Sequence, residues 1–353
     1  MKKKIWPIVV MAVFVIIAGF LFRYRNAVVA VWNNLTAYKL QMDETDEWAG
    51  GRSFTKVAYA TDSESQYLDL YIPNTALNEE KPQLFVLVHG GGFIYNDSQS
   101  RQAQLMYRYF RDQGYACATV NYRLAQEEPF PGALCDVKAA IRFLKAHAEE
   151  YGYSAEKVAI WGESAGGYLA VAATVTNDDE FGDVTYIGQK EIEDRLGYKV
   201  SAKVDVCVDY YGAVELSKKT SDWNKLGYPL FIIDIANSWL HTDIIKGYSD
   251  VESYWFRKET EGMTAEEAAY YDIYNYLNEN AADLKNTKFW ISHGDSDITV
   301  PILQSQRLYD TISTFVGNDN GVFKVVPKSG HAGDIMYTDE ELSFVKAYLD
   351  NNL

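Results

Sequence analysis

Short apolar runs rich in β-branched residues alternate with longer segments of mixed polarity through most of this chain. The short runs predict buried strands near residues 84–88, 116–120, 157–161, 204–209, 288–292 and 322–326. The longer segments predict helices near residues 99–113, 134–150, 165–176, 302–315 and 339–350. Alternation of this kind predicts a mostly parallel sheet with helices on both faces.

The pattern changes in two places. Before the first of these strands, residues 56–60 and 68–71 predict a β-hairpin around the polar residues 61–65. After the predicted sixth strand, residues 216–271 carry ten aromatic residues and no clear strand pattern. We expect this insertion to be a helical cap. Its aromatic side chains could form a small core of their own, line a substrate site, or do both.

The N-terminal region has the pattern of a membrane anchor. Residues 5–22 are uncharged and apolar, and they lie between three lysines at 2–4 and the arginines Arg23 and Arg25. A helix of this length reaches roughly 27 Å, enough for a thin hydrocarbon core. We therefore expect a signal anchor over residues 1–25, a tether over 26–50 and an extracytoplasmic domain over 51–353. A cleaved signal peptide and a secreted protein are the alternative.

The motif Gly-Glu-Ser-Ala-Gly at 162–166 lies between a predicted strand and a predicted helix. Glycines on both sides of Ser164 allow a turn too sharp for Cβ atoms, which exposes the serine hydroxyl. A serine needs a base within hydrogen-bond distance, and an acid to orient that base, before it acts as a nucleophile. Ser164 is therefore the candidate nucleophile.

The candidate base is found by elimination among five histidines. His331 lies in a loop after the last predicted strand and downstream of a plausible acid. The others lie beside a glycine run, in a helical pattern, in an aromatic region and at a strand end: His89, His147, His241 and His293. His331 is therefore the expected general base.

The candidate acid lies in the loop after the strand at 288–292, which carries two aspartates, Asp295 and Asp297. Either one, placed between Ser164 and His331 in the chain, gives the nucleophile–acid–base order of the α/β-hydrolase fold. Their position in the loop does not by itself show which of the two aspartates is the acid.

A run of three glycines follows the predicted strand at 84–88 and His89. Glycine lets backbone N–H groups come close to a developing negative oxygen, and the α/β-hydrolase fold supplies half of its oxyanion hole at this point. We expect the donors to be Gly91, Gly92 and Ala165, the residue after the nucleophile.

These motifs together resemble the α/β-hydrolase esterases of the hormone-sensitive-lipase-like and bacterial acetyl-esterase type. The matching segments are 89–93 (His-Gly-Gly-Gly-Phe), 121–125, 129–131, 136–140, 162–167, 293–301 and 330–331. In relatives with His-Gly-x-x-Asp-x-x-Val-Pro the acid is the aspartate before x-x-Val-Pro, which implies Asp297 here. This form of the loop resembles the acetyl-, feruloyl- and xylan-type carbohydrate esterases.

The resemblance implies a serine carboxylic-ester hydrolase that acts on short acyl esters, acetylated saccharides among them, without a cofactor. Two alternatives are a serine peptidase-like hydrolase and a non-catalytic binding protein on the same fold. The candidate catalytic residues extend from residue 89 to residue 331, which favours one large domain.

The charge and composition of the chain limit the partners that it can bind. The net charge of −16 makes nucleic acid an unfavourable partner. Cys117 and Cys207 lie in predicted buried strands and Cys135 in a predicted helix, as small core residues do. With no Cys-x-x-Cys motif or Cys/His cluster, we expect no metal site. The expected partners are the ester substrate and the membrane, and the sequence does not indicate an oligomeric state.

Overall fold

The structure is a computed structural model that describes residues 19, 22–36, 40, 48–74, 80–215, 218–237, 243–245, 247–260 and 263–353. The strands are β1 (Gly51–Ala58), β2 (Tyr67–Pro73), β3 (Gln83–Val88), β4 (Ala116–Val120), β5 (Ser154–Glu163), β6 (Val206–Tyr210), β7 (Lys288–Gly294) and β8 (Gly321–Val326). The α-helices of these residues are α1 (Arg25–Leu35), α2 (Arg101–Asp112), α3 (Gly132–Ala146), α4 (Ala148–Tyr151), α5 (Ala165–Val175), α6 (Gln189–Leu196), α7 (Lys219–Lys225), α8 (Leu230–Ala236), α9 (Val251–Phe256), α10 (Ala265–Ala269), α11 (Ile273–Glu279), α12 (Leu303–Phe315) and α13 (Asp339–Asn352).

The strands form one eight-stranded sheet in the order β1-β2-β4-β3-β5-β6-β7-β8. The β1/β2 and β2/β4 pairs are antiparallel, and every pair from β4 to β8 is parallel. The predicted mostly parallel sheet of an α/β-hydrolase fold is confirmed.

Both faces of the sheet are covered, which explains why residues 84–88 of β3 are all apolar. Leu84, Val86 and Val88 point into the core that includes α3 and α5. Phe85 and Leu87 point into the opposite core with α2 and α13. All five side chains are fully buried, as expected for a central parallel strand.

The candidate site residues follow four of the parallel strands. The glycine run follows β3, Ser164 follows β5, the loop with both aspartates follows β7, and His331 follows β8. Since the carboxyl ends of parallel strands meet at one edge of a sheet, these loops converge there.

Several element boundaries differ from those expected. The segment predicted as one helix over 134–150 is two helices, α3 and α4, separated at His147. The second is followed by Gly152, which adopts φ 89°. The strands of the predicted hairpin are longer, and β5 begins at Ser154 rather than 157. The helix α6 was not expected, since its short polar sequence has no strong apolar stripe.

Residues 1–18, 20 and 21 of the predicted signal anchor lie outside the described residues. Where the chain is described, no helix is both long and apolar enough to cross a membrane.

The region expected to be a tether contains a helix that packs on the domain. Ala30 of α1 is fully buried against Trp223, Ile233 and Ile298. Part of the expected tether is therefore a helix packed on the domain, and the small Ala30 side chain lets it approach closely.

The described part of the insertion 216–271 is helical, as expected, and contains α7 to α10. Four of its residues lie in a small cluster with Ala30 and Ile298, namely Trp223, Leu226, Tyr228 and Ile233, while α9 packs in the main core. Trp255 of α9 is fully buried in the main core, with its ring 3.7 Å from that of Phe93 and 5.0 Å from that of Phe130. The aromatic residues of α9 therefore contribute to the core of the whole domain.

Candidate active site

Ser164 lies in the turn between β5 and α5 with φ 55° and ψ −118°. Glycines make this turn possible. A Cβ on Gly162 would lie 2.0 Å from the carbonyl oxygen of Gly166, and one on Gly166 would lie 2.2 Å from that of Val88. The strained φ of a non-glycine residue is typical of functional turns. The turn projects the serine hydroxyl above the edge of the sheet.

Three side chains form a hydrogen-bonded line at this edge. The hydroxyl oxygen of Ser164 lies 3.0 Å from Nε2 of His331, and Nδ1 of His331 lies 2.7 Å from Oδ2 of Asp297. Since a carboxylate only accepts hydrogen bonds, Nδ1 carries the proton and Nε2 presents its lone pair to Ser164. The predicted nucleophile, base and one of the two candidate acids are therefore brought together.

The second oxygen of Asp297 is held by the loop itself. The backbone N–H groups of Thr299 and Val300 donate to Oδ1 at 2.8 and 2.9 Å. Burial raises the pKa of Asp297, but His331 and His293 lower it more, so the pKa lies below its usual range. Asp297 is thus an oriented carboxylate.

Asp295, the other candidate, points away from His331. Its side chain is exposed, and its Oδ1 accepts from the hydroxyl of Ser296 and from the N–H of Lys328, at 2.9 and 2.7 Å. Asp295 therefore bonds its own loop to the loop after β8 and does not join the line of catalytic candidates.

His293, expected to be a strand-end histidine, contacts the acid. Its ring is fully buried, and Nε2 lies 3.1 Å from the carbonyl oxygen of Val300 and 3.2 Å from Oδ2 of Asp297. Because Val300 O can only accept, Nε2 carries the proton, and the hydroxyl of Ser305 donates to Nδ1 at 2.7 Å. The sequence feature that could have indicated this contact with Asp297 is the position of His293 at the start of the 293–301 motif.

The glycine run adopts backbone conformations that other residues disfavour. Gly91 has φ 115° and Gly92 has φ 60°, and a Cβ on Gly91 would lie 2.2 Å from the carbonyl oxygen of Tyr95. Ala165 is the first residue of α5, so its N–H has no partner within the helix. The three expected oxyanion donors thus flank the nucleophile on two neighbouring loops.

Contacts at His89 and Gly90 brace the start of the glycine run. The N–H of Gly90 donates to Oε1 of Glu163 at 2.7 Å. The His89 ring stacks on Tyr122 with centroids 4.3 Å apart, and the Tyr122 hydroxyl donates to the His89 carbonyl. Burial lowers the pKa of His89 to about 4, which keeps it neutral and fits the structural role expected for it.

Two contacts to His331 were not expected from the sequence. The ring of Tyr211 meets the His331 ring edge to face with centroids 4.8 Å apart. The N–H of His331 donates to Oδ1 of Asn34, 2.9 Å away in α1. Neither residue belongs to a motif, so no local signal could have identified them.

Metal ligation has no support within the described ranges, where no group of three or more His, Cys, Asp or Glu side chains could hold an ion. The three cysteines are buried and free, at positions expected for core residues.

The BD-FAE family model matches residues 68–312, well over half of the chain. The chain belongs to this family. The BD-FAE match includes the glycine run, Ser164 and Asp297, and it ends before His331. Membership confirms the resemblance to esterases on which the expected chemistry rests.

Relatives of this BD-FAE chain carry esterase names. It is 26% identical over 282 residues to the probable carboxylic ester hydrolase LipM of Mycobacterium tuberculosis, covering 79% of this chain and 56% of the relative. It is 33% identical over 90 residues to an acetyl esterase of Salmonella paratyphi B, covering 25% and 27% of the two chains. The BD-FAE chain thus spans little more than half the length of the mycobacterial relative.

A truncated carbohydrate esterase from gut microbiota has the same fold. The two structures superpose with a TM-score of 0.69 at 22% identity, covering 88% of this chain and 99% of the other. At this level of identity the likeness concerns the fold alone.

Proposed function

We propose that this protein is a serine carboxylic-ester hydrolase that works through an acyl-enzyme intermediate. The observation that carries the proposal is the hydrogen-bonded line from Ser164 through His331 to Asp297. The family and the names of the relatives support ester hydrolysis as the reaction.

In the first half of the reaction, Oγ of Ser164 attacks the ester carbonyl carbon while Nε2 of His331 takes the hydroxyl proton. Asp297 stabilises the imidazolium that forms. The bond from the carbonyl carbon to the alcohol oxygen then breaks, and His331 returns the proton to that oxygen. The alcohol leaves, and the acyl group stays on Ser164.

In the second half, a water molecule attacks the acyl carbonyl carbon and gives a proton to Nε2 of His331. The bond to Oγ of Ser164 breaks, Oγ takes the proton back, and the carboxylic acid leaves. The negative oxygen that forms in each half accepts from the N–H groups of Gly91, Gly92 and Ala165. Losing one such donor costs about 10²–10³ in turnover.

The proposed substrates are short acyl esters, including acetyl groups on saccharides. The names of the Salmonella acetyl esterase and of the gut carbohydrate esterase support this choice. The rings of Phe93 and Trp255 stack directly after the glycine run, and we expect them to limit the room for a long acyl chain.

The test is hydrolysis of acetyl, butyryl and octanoyl esters, an acetylated xylo-oligosaccharide and an aminoacyl amide by the full chain. We expect acetyl esters to react fastest. Ser164→Ala should abolish hydrolysis and labelling by a serine-directed phosphonate, whereas Ser154→Ala, at the other end of β5, should retain both. Activity that survives Ser164→Ala would refute the mechanism, and cleavage of the amide alone would indicate a peptidase.

We propose that residues 5–22 anchor the protein in a membrane with its catalytic domain outside the cytoplasm. The charge-free run, with lysines before it and arginines after it, supports this topology. The full chain should resist carbonate extraction, and its domain should be accessible to protease from outside the cell. Native protein in the culture supernatant, with a new N-terminus between Arg23 and Asn34, would instead establish a cleaved signal peptide.

A further inference from the structure

The helix α1 is bonded to both loops that carry the proposed acid and base. Oδ1 of Asn34 accepts from the N–H of His331 at 2.9 Å. Nδ2 of the same side chain donates to the carbonyl oxygen of Ser296 at 2.5 Å and to that of Ala30 at 2.7 Å. One amide group therefore joins the loop after β7 to the loop after β8.

The backbone of α1 lies directly against the base loop. A Cβ on Gly330, the residue before His331, would lie 2.5 Å from Oδ1 and 2.8 Å from Cα of Asn34. Any side chain at Gly330 would push the helix away, so the glycine of the Gly-His pair lets α1 approach.

Two further contacts hold α1 at the acid loop. Nδ2 of Asn33 donates to the hydroxyl of Ser296 at 2.8 Å. Ala30, fully buried, packs in one cluster with Ile298, the residue after Asp297. The helix is thus fixed by polar and apolar contacts on either side of the proposed acid.

We propose that Asn34 is a positioning residue for the reaction, which makes α1 part of the catalytic apparatus. This inference rests on the proposed esterase function. Asn34 acts through the backbone of His331 and Ser296. An amide suits this place because it offers an acceptor to an N–H group and a donor to a carbonyl at once. Without it, the N–H of His331 and the carbonyl of Ser296 lose the partner that they share, while backbone hydrogen bonds between the two loops, such as that from Ser296 N–H to the Ser329 carbonyl, remain.

The consequence is a loss of turnover with little change in substrate affinity. A displacement of about 1 Å in a catalytic group can cost about 10²-fold in rate. We therefore expect Asn34→Leu to lower kcat about 100-fold with KM nearly unchanged. Asn34→Asp keeps the acceptor for His331 but sets a carboxylate against the Ser296 carbonyl, so we expect a loss of roughly tenfold.

The experiment uses the full chain in detergent, with an acetyl ester as the probe. Val29→Ala is the matched control, since Val29 lies in the same helix with 55% of its surface exposed. We expect it to stay within about threefold of the wild-type kcat. The downfield proton resonance of His331 Nδ1–H should shift or broaden in Asn34→Leu and persist in Val29→Ala.

The outcomes separate this inference from the function on which it rests. A wild-type protein without ester hydrolysis would refute the proposed function. An active wild type, an inactive Ser164→Ala and a fully active Asn34→Leu would refute the positioning role alone. If Asn34→Leu does not fold, Asn34→Asp is the test of the proposal. Wild-type kcat and an unchanged His331 resonance in Asn34→Asp would contradict it.

Discussion

Trp255 of the cap stacks face to face on Phe93, the residue after the glycine run, with ring centroids 3.7 Å apart and ring planes 7° apart. The Trp255 carbonyl also accepts from the N–H of Phe130, and the Tyr168 ring meets the indole edge to face at 5.3 Å. The cap is therefore packed into the domain beside the proposed oxyanion donors.

Trp255→Ala tests this packing. Removing a buried indole leaves a cavity, so we expect the free energy of unfolding to fall by about 3–5 kcal/mol. The space beside Phe93 should also admit longer acyl chains and raise the ratio of octanoyl to acetyl ester hydrolysis. Urea unfolding and the acyl-chain profile measure the two effects.

Ile235→Ala is the control for that variant, because Ile235 of α8 is 71% exposed. Its effect on the free energy of unfolding should stay within about 0.5 kcal/mol. A Trp255→Ala protein with wild-type stability and an unchanged acyl-chain profile would contradict the role of the stacked pair.

Asp297→Asn and Asp295→Asn form a matched pair of variants in one loop. Asparagine at 297 would favour the wrong tautomer of His331, so we expect kcat to fall by roughly 10⁴. Asp295 contacts Ser296 and Lys328 rather than His331, so its variant should keep most of the activity. The kcat of each variant for an acetyl ester at one pH measures the two effects. A larger loss in Asp295→Asn than in Asp297→Asn would mean that Asp295 is the acid.

His293→Leu tests the support behind the acid. It would leave the Ser305 hydroxyl and the Val300 carbonyl without their partner at His293, and such losses cost about 1–3 kcal/mol each in buried sites. We expect a lower free energy of unfolding and a lower kcat at unchanged KM. His293→Gln, which can still donate to Val300, should recover part of both, and equal damage in the two variants would argue against the hydrogen bonds as the cause.

We expect the buried carboxyl group of Asp209 to make the free energy of unfolding depend on pH. It is almost fully buried beside Gly212, whose N–H donates to Oδ1 at 3.0 Å, and burial raises its pKa from 3.8 to about 7. Between those values the native state binds more protons than the unfolded state. The free energy of unfolding should therefore fall as the pH rises through this window, by no more than about 4 kcal/mol.

Asp209→Asn should remove that dependence, because the amide keeps an acceptor for Gly212 and cannot ionise. Urea unfolding at about pH 4.5 and about pH 8 measures the change for each protein. Asp243→Asn, at an exposed position, is the control and should keep the wild-type slope. The same slope in Asp209→Asn would show that Asp209 does not cause it.

The sequence determined the sheet and the location of the proposed nucleophile. Runs such as β3 are apolar on both faces, which predicts a buried parallel strand whatever lies around it. The motif at 162–166 predicted the turn at Ser164, because a Cβ on Gly162 would meet the carbonyl oxygen of Gly166, which is close in sequence. These features are local, so local patterns were sufficient to find them.

Only the tertiary structure decided which side chains meet at the site. Asp295 and Asp297 are two residues apart in similar surroundings, and the fold of their loop alone turns one toward His331. Asn34 bonds the N–H of His331 across 297 positions of sequence, and Trp255 reaches Phe93 from the inserted cap. Contacts of this range depend on how helices pack against loops, and no periodicity or motif in the chain records that packing.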